Sequence, residues 1–291
     1  MFGRVLILAL SVLPKHALSR GAGWLATRTI PLRWRGPVHR GYSRVFGAQP
    51  TEAALPLDEY ATLNAFFTRR LKPGLRPVAP EAIVSPVDAT VGAYGEVASD
   101  TLVQAKGRNY SLAALLADRE LAGAFEGGTY ATLYLSPKDY HRIHVPLPGR
   151  ITAATYVPGD LWPVNVAAVT HVADLFTLNE RIVVEIAGAR GGRMAVVPVG
   201  ATMVGMTRLA FDDDLHTNAR RREVQHRRYD PPVAVEAGGP LGHFEFGSTV
   251  VLVCSPLAGT ITPLRPGDTV RMGERLGPLP VVDSLEGVAG T

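Results

Sequence analysis

Short runs in which apolar and polar residues alternate fill the chain from residue 83 onward, and this pattern predicts β-strands. Glycine and proline separate the runs, as they do where strands end in turns. Residues 111–117 are the one clear interruption with helical spacing. This pattern of many short strands with few helices predicts an α+β fold with a β-rich core of the sandwich or barrel type. The predicted strands cover residues 85–92, 129–135, 150–157, 181–186, 194–199 and 203–209.

Two segments of this region are built alike, which favours a barrel-sandwich hybrid of two halves. Ser85-Pro86 precedes Thr90-Val91, and Ser255-Pro256 precedes Thr260-Ile261. Residues 266–273 also resemble the return turn of a biotinyl- or lipoyl-type carrier domain. A carrier needs a modifiable lysine on a hairpin, and no lysine follows Lys138. The likeness therefore bears on the fold and not on the function.

The first 50 residues are predicted to form a membrane-association segment, separate from a catalytic domain at 51–291. Apolar residues from Val5 to Leu13 are too few to span a bilayer, and Pro14 ends the run. A helix lying in the headgroup region, with Trp24 at the interface, fits this pattern. A signal sequence and a helix packed on the protein's own core remain alternatives. A second amphipathic helix is predicted at 57–71, where it packs on the core.

Charge is distributed unevenly along the chain. The net charge is +4, yet the first 51 residues contain no acidic residue, so their eight cations leave −4 for the remainder. A basic arm on a mildly acidic body predicts an anionic partner. Because no aromatic and basic recognition surface accompanies the arm, a lipid membrane is favoured over nucleic acid. The cations are Arg4, Lys15, Arg20, Arg28, Arg33, Arg35, Arg40 and Arg44.

Cysteine and histidine usage gives no indication of a metal site. Cys254 is the only cysteine, which excludes an intramolecular disulfide and suits a reducing compartment. His141 and His144 lie close together, but no third ligand follows at metal-like spacing. No metal is therefore predicted.

The stretch at 243–253 combines a strand pattern with a reactive sequence, Gly247-Ser248-Thr249. At period two, Ser248 falls in an apolar row. A core strand with a hydrogen-bonded serine is the simplest interpretation. Alternatively, the hydroxyl attacks the carbonyl of Gly247, and the resulting ester eliminates to dehydroalanine. Hydrolysis then leaves an N-terminal pyruvoyl group. That reaction needs a base and a group that orients the base.

Candidates for both groups occur earlier in the chain. His141 and His144 lie between Pro137 and Pro146, in a segment too short for a stable helix. Asp88 follows Val87 within an apolar run, so its carboxylate is either exposed at a turn or buried with a partner. Each residue taken singly also fits a purely structural role.

Taken together, six stretches resemble the phosphatidylserine decarboxylase family, the pyruvoyl-dependent enzymes of bacterial and mitochondrial type. The likeness runs nearly end to end. One position departs from the family pattern, because Phe246 replaces the leucine that usually precedes Gly-Ser-Thr. The stretches are Leu-Asn-Ala-Phe-Phe-Thr-Arg at 63–69, Ser-Pro-Val-Asp-Ala-Thr-Val at 85–91, Gln-Ala-Lys-Gly-Arg-Asn-Tyr-Ser-Leu at 104–112, Tyr-Leu-Ser-Pro-Lys-Asp-Tyr-His-Arg-Ile-His-Val-Pro at 134–146, Tyr-Val-Pro-Gly-Asp-Leu at 156–161 and Gly-Ser-Thr at 247–249.

The resemblance implies a role for each candidate residue. Ser248 becomes the pyruvoyl cofactor, and Gly247 becomes the C-terminus of fragment 1–247, which stays associated with fragment 248–291. His144 takes the serine proton, Asp88 orients His144, and His141 serves the decarboxylation. Phosphatidylserine would be converted through a Schiff base to phosphatidylethanolamine and CO2.

The resemblance also implies a location and an assembly. The enzyme would lie peripherally on the cytoplasmic side of the cell membrane, and a homodimer is compatible with this arrangement. The competing enzyme class is a Ser-His-Asp lipid hydrolase that uses the same residues without self-cleavage. Against it, Ser248 lacks the Gly-x-Ser-x-Gly elbow.

Overall fold

The structure is a computed structural model that describes residues 15–105, 108–164, 166–202, 206–218, 222–245 and 248–280. The apolar run predicted to form the first part of the N-terminal helix lies outside the described residues, as do Phe246 and Gly247.

Strands outnumber helices, and the helices after the first two are short. The helices are α1 (Lys15–Ala26), α2 (Leu32–Phe46), α3 (Leu63–Phe67), α4 (Leu112–Leu116), α5 (Arg119–Gly123), α6 (Val166–His171) and α7 (Leu175–Leu178). The strands are β1 (Ala82–Val84), β2 (Ala89–Glu96), β3 (Thr101–Ala105), β4 (Arg108–Ser111), β5 (Thr129–Leu135), β6 (Arg142–His144), β7 (Gly149–Val157), β8 (Arg181–Ala187), β9 (Arg193–Val199), β10 (Thr207–Leu209), β11 (Gln225–Val235), β12 (Pro240–Phe244), β13 (Ser248–Cys254), β14 (Thr269–Val270) and β15 (Arg275–Pro278).

An eight-stranded antiparallel sheet forms the centre of the molecule, in the order β11-β7-β8-β9-β13-β5-β2-β14. β13 lies in its middle and pairs with β9 on one side and β5 on the other. All seven residues of β13 are buried, because layers cover both faces of the sheet at this point.

The main sheet has a different layer on each face. On one face, a small sheet in the order β10-β12-β6 shares a hydrophobic core with the main sheet. On the other face, the β3–β4 hairpin and helices α4 to α7 enclose a second core. These stacked layers confirm the predicted α+β fold with a β-rich core. The described strands form open sheets and no closed barrel, so the layered, sandwich-like form applies.

The C-terminal strands pair with the strands at either end of the first of the two similar segments, at 85–91. β1 pairs with β15, and β2 pairs with β14. They therefore form one substructure, in which the C-terminal segment completes pairings begun by residues 82–96.

The stretch at 243–253 is not the single strand that its alternation predicts. Phe244 ends β12 in the small sheet, and Ser248 begins β13 in the main sheet. The chain therefore leaves the small sheet after Phe244 and enters the main sheet at Ser248. Ser248 therefore lies where the layers meet, which is a position suited to a site.

One other helix prediction was wrong in extent, and another was confirmed. The helix predicted at 57–71 is confined to α3, where the Thr62 side chain accepts a hydrogen bond from the Ala65 N–H and caps the helix start. The polar segment at 211–232 contains much of β11, an edge strand whose exposed residues include the charged Arg228 and Asp230. The helix at 111–117 is confirmed as α4, but α5, α6 and α7 follow it.

Helices α1 and α2 leave a row of apolar side chains on the surface. On the inner side of α2, His39 is buried, and its ring centroid lies 4.9 Å from that of Phe66 in α3. On the outer side, Trp24 is 58% exposed, Leu25 68% and Trp34 53%. Within the described ranges, no helix has both the length and the apolar character needed to cross a membrane. The domain boundary at residue 50 stays a prediction.

Candidate active site

Ser248 is the first residue of β13 and is fully buried. It pairs with Leu135 of β5, and opposite residues in an antiparallel pair share a face. Leu135 belongs to the core between the two sheets, so the Ser248 hydroxyl points toward the small sheet. Among the described residues, no hydrogen-bond partner lies within reach of Ser248 Oγ. A buried hydroxyl usually has a partner, and this one is left available for chemistry.

A tight turn carries the chain from Leu135, opposite Ser248, to His141. The Asp139 carboxylate accepts hydrogen bonds from the Ser136 N–H at 2.8 Å and from Ser136 Oγ at 2.7 Å. The His141 carbonyl then accepts the Phe244 N–H at 2.9 Å, and Phe244 lies four residues before Ser248. The short turn from Leu135 and the hydrogen bond from the Phe244 N–H therefore hold His141 on the same face of the main sheet as the Ser248 hydroxyl.

His141 is fully buried and neutral. Its Nδ1 lies 2.8 Å from the Asp139 carbonyl, which can only accept, so Nδ1 carries the proton and Nε2 carries a lone pair. Burial, helped by the nearby Arg69 charge and opposed by the Asp139 hydrogen bond, lowers the pKa of His141 to about 3. The Phe67 ring stacks on the imidazole with centroids 4.0 Å apart. Nε2 has no partner among the described residues, so it is available as an acceptor.

Asp88 is buried with a partner that the sequence did not reveal. Arg76 Nε donates to both carboxylate oxygens at 2.9 and 3.0 Å, and Nη2 donates to Oδ2 at 2.6 Å. The Met272 N–H donates to Oδ1 at 2.8 Å. Arg76 also forms an ion pair with Glu52 at 2.9 Å. These contacts fix the carboxylate and balance its charge.

His144 has both ring nitrogens engaged. Nδ1 donates to the Gly238 carbonyl at 2.7 Å, so Nε2 is unprotonated and accepts the Tyr140 hydroxyl proton at 3.0 Å. Gly238 has φ +77°, and a Cβ there would collide with Val78, so this acceptor position requires glycine. Burial lowers the pKa of His144 below its ordinary 6.5, although the Gly238 hydrogen bond and the Asp88 charge oppose the shift.

The predicted residues therefore lie in one region without forming a continuous hydrogen-bonded triad. The backbone N–H of His144 donates to the backbone carbonyl of Pro86 at 2.9 Å, and Pro86 lies two residues before Asp88. The charge of Asp88 affects the pKa of His144. Within the described part of the chain, no hydrogen bond joins Asp88 to His144 or His144 to Ser248. The Gly247–Ser248 bond lies partly outside the described residues, and the assigned roles remain predictions.

A cavity of about 340 Å³ opens beside His144. We call it the basic cavity, because cationic side chains and two histidines surround it. Its lining includes Arg70, Lys72, Arg76, Arg142, His144 and His243.

Comparison with known proteins agrees with these features. A family model described as "Phosphatidylserine decarboxylase" matches residues 63–278. The chain is 48% identical over 287 residues to the phosphatidylserine decarboxylase proenzyme of Anaeromyxobacter sp. (strain K), covering 95% of this chain and 99% of the relative. It is 42% identical over 275 residues to the proenzyme of the same name from Myxococcus xanthus (strain DK1622), covering 92% and 96%. This chain belongs to the phosphatidylserine decarboxylase family. The resemblance stated from the sequence is confirmed.

Membership of the phosphatidylserine decarboxylase family makes the chain a carboxy-lyase. A third relative, the proenzyme of Brevibacillus brevis (strain 47 / JCM 6285 / NBRC 100599), is 39% identical over 268 residues, covering 91% of this chain and 94% of the relative. The family model spans every strand from β1 to β15, so it covers the whole catalytic core described above.

Several residues of this decarboxylase site were missed by sequence reasoning. Arg76 and Gly238 contact Asp88 and His144 from segments without a recognisable motif. Tyr140, Arg142 and Phe67 lie inside stretches that carried the family resemblance, but spacing alone gave them no role. For Tyr140 and Arg142, the position next to His141 in the motif was the only available signal.

Proposed function

We propose that this chain decarboxylates phosphatidylserine to phosphatidylethanolamine and CO2 with a pyruvoyl group that it makes from Ser248. The observation that carries the proposal is the buried Ser248 Oγ, which begins the central strand and has no described partner. Family membership supplies the reaction, and the relatives' printed names call each of them a proenzyme.

The proposed maturation uses only atoms of the chain and water. Ser248 Oγ loses its proton to a base and attacks the Gly247 carbonyl carbon, and the amide becomes an ester. Removal of the Ser248 α-proton then breaks the Cβ–O bond, releasing Gly247 as a carboxylate and leaving dehydroalanine. Water converts dehydroalanine to the ketone with loss of ammonia. The orphaned Ser248 hydroxyl fits this requirement.

His144 is the proposed base and Asp88 its electrostatic support. In the structure, the Tyr140 hydroxyl donates a hydrogen bond to Nε2 of His144. The Ser248 proton therefore reaches His144 through the Tyr140 hydroxyl or after that hydroxyl rotates away. Asp88 favours the imidazolium by its negative charge, and Arg76 holds it in position.

A pyruvoyl group at position 248 would supply an electrophilic ketone and an electron sink for decarboxylation of an amine substrate. The chain contributes the surroundings for that step. His141 is neutral with a free Nε2, so it can accept a hydrogen bond from the substrate without holding the carboxylate by charge. The Phe67 ring beside it excludes water.

Incubation of the purified protein with phosphatidylserine vesicles is expected to release CO2 and phosphatidylethanolamine in equal amounts. Substrate labelled at the serine carboxyl allows the CO2 to be counted, and thin-layer chromatography identifies the lipid. A Ser-His-Asp hydrolase would instead release fatty acid or headgroup and no CO2. That outcome would overturn the proposed function.

The proposal includes peripheral binding to the cytoplasmic face of an anionic cell membrane. The exposed side chains of Trp24, Leu25 and Trp34 lie on helices that also carry five arginines. Aromatic and basic residues together favour the headgroup region of a bilayer. The homodimer stays a prediction without direct support. The arginines are Arg20, Arg33, Arg35, Arg40 and Arg44.

The double variant Trp24→Ser/Leu25→Ser is expected to bind anionic vesicles about tenfold more weakly, because two apolar side chains no longer enter the interface. Cosedimentation with phosphatidylglycerol vesicles measures this. Leu257→Ser is the control, since Leu257 is 60% exposed but lies outside these helices. Deletion of residues 1–35 should also weaken binding, but it removes part of α2, which packs on Phe66. Unchanged binding of the double variant would move the membrane contact elsewhere.

A further inference from the structure

The basic cavity carries more positive charge than the carboxylates near it balance. Arg76 is paired with Asp88 and Glu52. For Arg70, Lys72 and Arg142, by contrast, the described part of the chain offers no carboxylate within ion-pairing distance. The surplus lies on the cavity wall, where it attracts an anion.

Two of the surplus cations, Arg70 and Arg142, are close enough to interact with each other. Burial lowers the pKa of Arg142, and the charge of Arg70 lowers it further. Arg142 Nε donates to the Thr68 carbonyl at 2.9 Å, which fixes the guanidinium at the cavity wall. Like charges held together without a counter-ion are costly unless a ligand neutralises them. The arrangement therefore fits a bound anion better than it fits the empty protein.

His243 adds a neutral hydrogen-bonding group to this wall. Burial, together with the smaller effects of the Arg142 and Arg208 charges, lowers the pKa of His243 to about 4. It is neutral at pH 7, so it offers the anion a hydrogen bond and no additional charge.

The substrate in the proposed function presents two anionic groups, a phosphodiester and a carboxylate. The carboxylate loses its charge as it leaves as CO2, so ion pairs that stabilise it in the ground state would raise the barrier. The phosphodiester keeps its charge throughout the reaction. Pairing it with arginine and lysine binds the ground state and the transition state equally. The cationic wall is therefore suited to the phosphodiester.

We propose that the basic cavity binds the phosphodiester of the substrate headgroup through Arg70, Lys72 and Arg142. This inference rests on the proposed function for the identity of the substrate. Arg70 and Lys72 are exposed at the cavity rim, and Arg142 is half-buried further in. The lipid thus enters with its phosphate at the rim and its serine directed inward past His144.

The test uses two soluble probes that separate the anionic groups. Glycerophosphoglycerol has the phosphodiester but neither amine nor carboxylate, whereas L-serine has amine and carboxylate but no phosphate. Each is measured as a competitive inhibitor of the wild type and of Arg70→Gln/Lys72→Gln. Arg150→Gln/Arg193→Gln is the control. It removes the same two charges from exposed arginines of β7 and β9, which do not line the basic cavity.

We expect glycerophosphoglycerol to bind the Arg70→Gln/Lys72→Gln variant about tenfold more weakly, with the inhibition constant of L-serine unchanged. KM for a short-chain soluble phosphatidylserine should rise by a similar factor, with kcat nearly unchanged. If the variant instead binds L-serine more weakly than the wild type does, the cavity binds the carboxylate and the proposal is wrong. If neither probe is affected, the cations do not bind the headgroup and the proposal is equally wrong.

Calorimetry separates this inference from the proposed function. Titration of glycerophosphoglycerol into the full chain requires no turnover. Binding by the wild type that is lost in Arg70→Gln/Lys72→Gln would support the site even if no CO2 is released, in which case only the proposed reaction fails. Decarboxylation without any such binding would contradict the site and leave the reaction standing.

Discussion

Ser248→Ala is expected to yield one uncut chain of 291 residues with no detectable decarboxylase activity. Alanine has no oxygen with which to attack the Gly247 carbonyl, so neither the chain break nor the ketone can form. Denaturing mass spectrometry should find the wild type as fragments 1–247 and 248–291, the smaller one blocked by pyruvoyl at its N-terminus. The same samples are assayed for CO2 release.

The matched control for this experiment is Ser255→Ala. Ser255 follows the last residue of β13 and is also buried, but its Oγ accepts a hydrogen bond from the Arg193 N–H at 2.8 Å. Removal of the Ser255 hydroxyl should not change self-cleavage. An uncut wild-type chain would mean that Phe246, in place of the usual leucine, has stopped maturation, or that the hydrolase alternative must be reopened. Cleavage in Ser248→Ala would remove Ser248 from the mechanism.

His144→Ala is expected to slow self-cleavage by about 10²- to 10⁴-fold, the usual contribution of a positioned general base, and Asp88→Asn is expected to slow it by a smaller factor. His144→Ala removes the acceptor of the serine proton. Asp88→Asn removes the charge that favours imidazolium. The measurement is the decay of freshly translated full-length chain, followed on denaturing gels.

The pH dependence of cleavage follows from the lowered pKa of His144. The base is active when unprotonated, and burial holds its pKa below 6.5. The rate in the wild type should therefore be level above about pH 6.5. On acidification it should fall tenfold per pH unit once the pH drops below the lowered pKa. A rate that rises on acidification would contradict the role of His144 as base.

Two controls separate chemistry from folding. His226→Ala removes an exposed histidine of β11. Thermal unfolding is compared between Ser248→Ala and Ser248→Ala/Asp88→Asn, because loss of the Asp88 charge also weakens the ion pair with Arg76. Cleavage at the wild-type rate in both Asp88→Asn and His144→Ala would overturn the triad assignment.

Much of the fold could be predicted because buried strands are apolar. The strand predicted at 129–135 matches β5, and those predicted at 150–157 and 181–186 differ from β7 and β8 by one residue. β11 could not be found this way, because it is an edge strand with charged residues on its exposed face. The break between Phe244 and Ser248 was also hidden, since both ends have the same apolar alternation but pair in different sheets.

The site was predictable only where the residues lie in motifs. The hydroxyl of Ser248 and the imidazoles of His141 and His144 could be named because few other groups can perform the chemistry. The partner of Asp88 could not, because Arg76 lies in a loop 12 residues away and only the folded chain directs it to the carboxylate. The same applies to Tyr140, whose contact with His144 depends on the bend between Pro137 and Pro146.

The position of β13 determines how the mature protein would come apart. After cleavage, the small fragment would supply β13, β14 and β15, and each of them pairs with strands of the large fragment. Unfolding would then also be a dissociation, so the melting temperature of the cut protein would rise with protein concentration, whereas that of the uncut precursor would not. Refolding would likewise become a second-order reaction between two chains. The covalent precursor is thus the form that can place a central strand in the sheet by an intramolecular reaction.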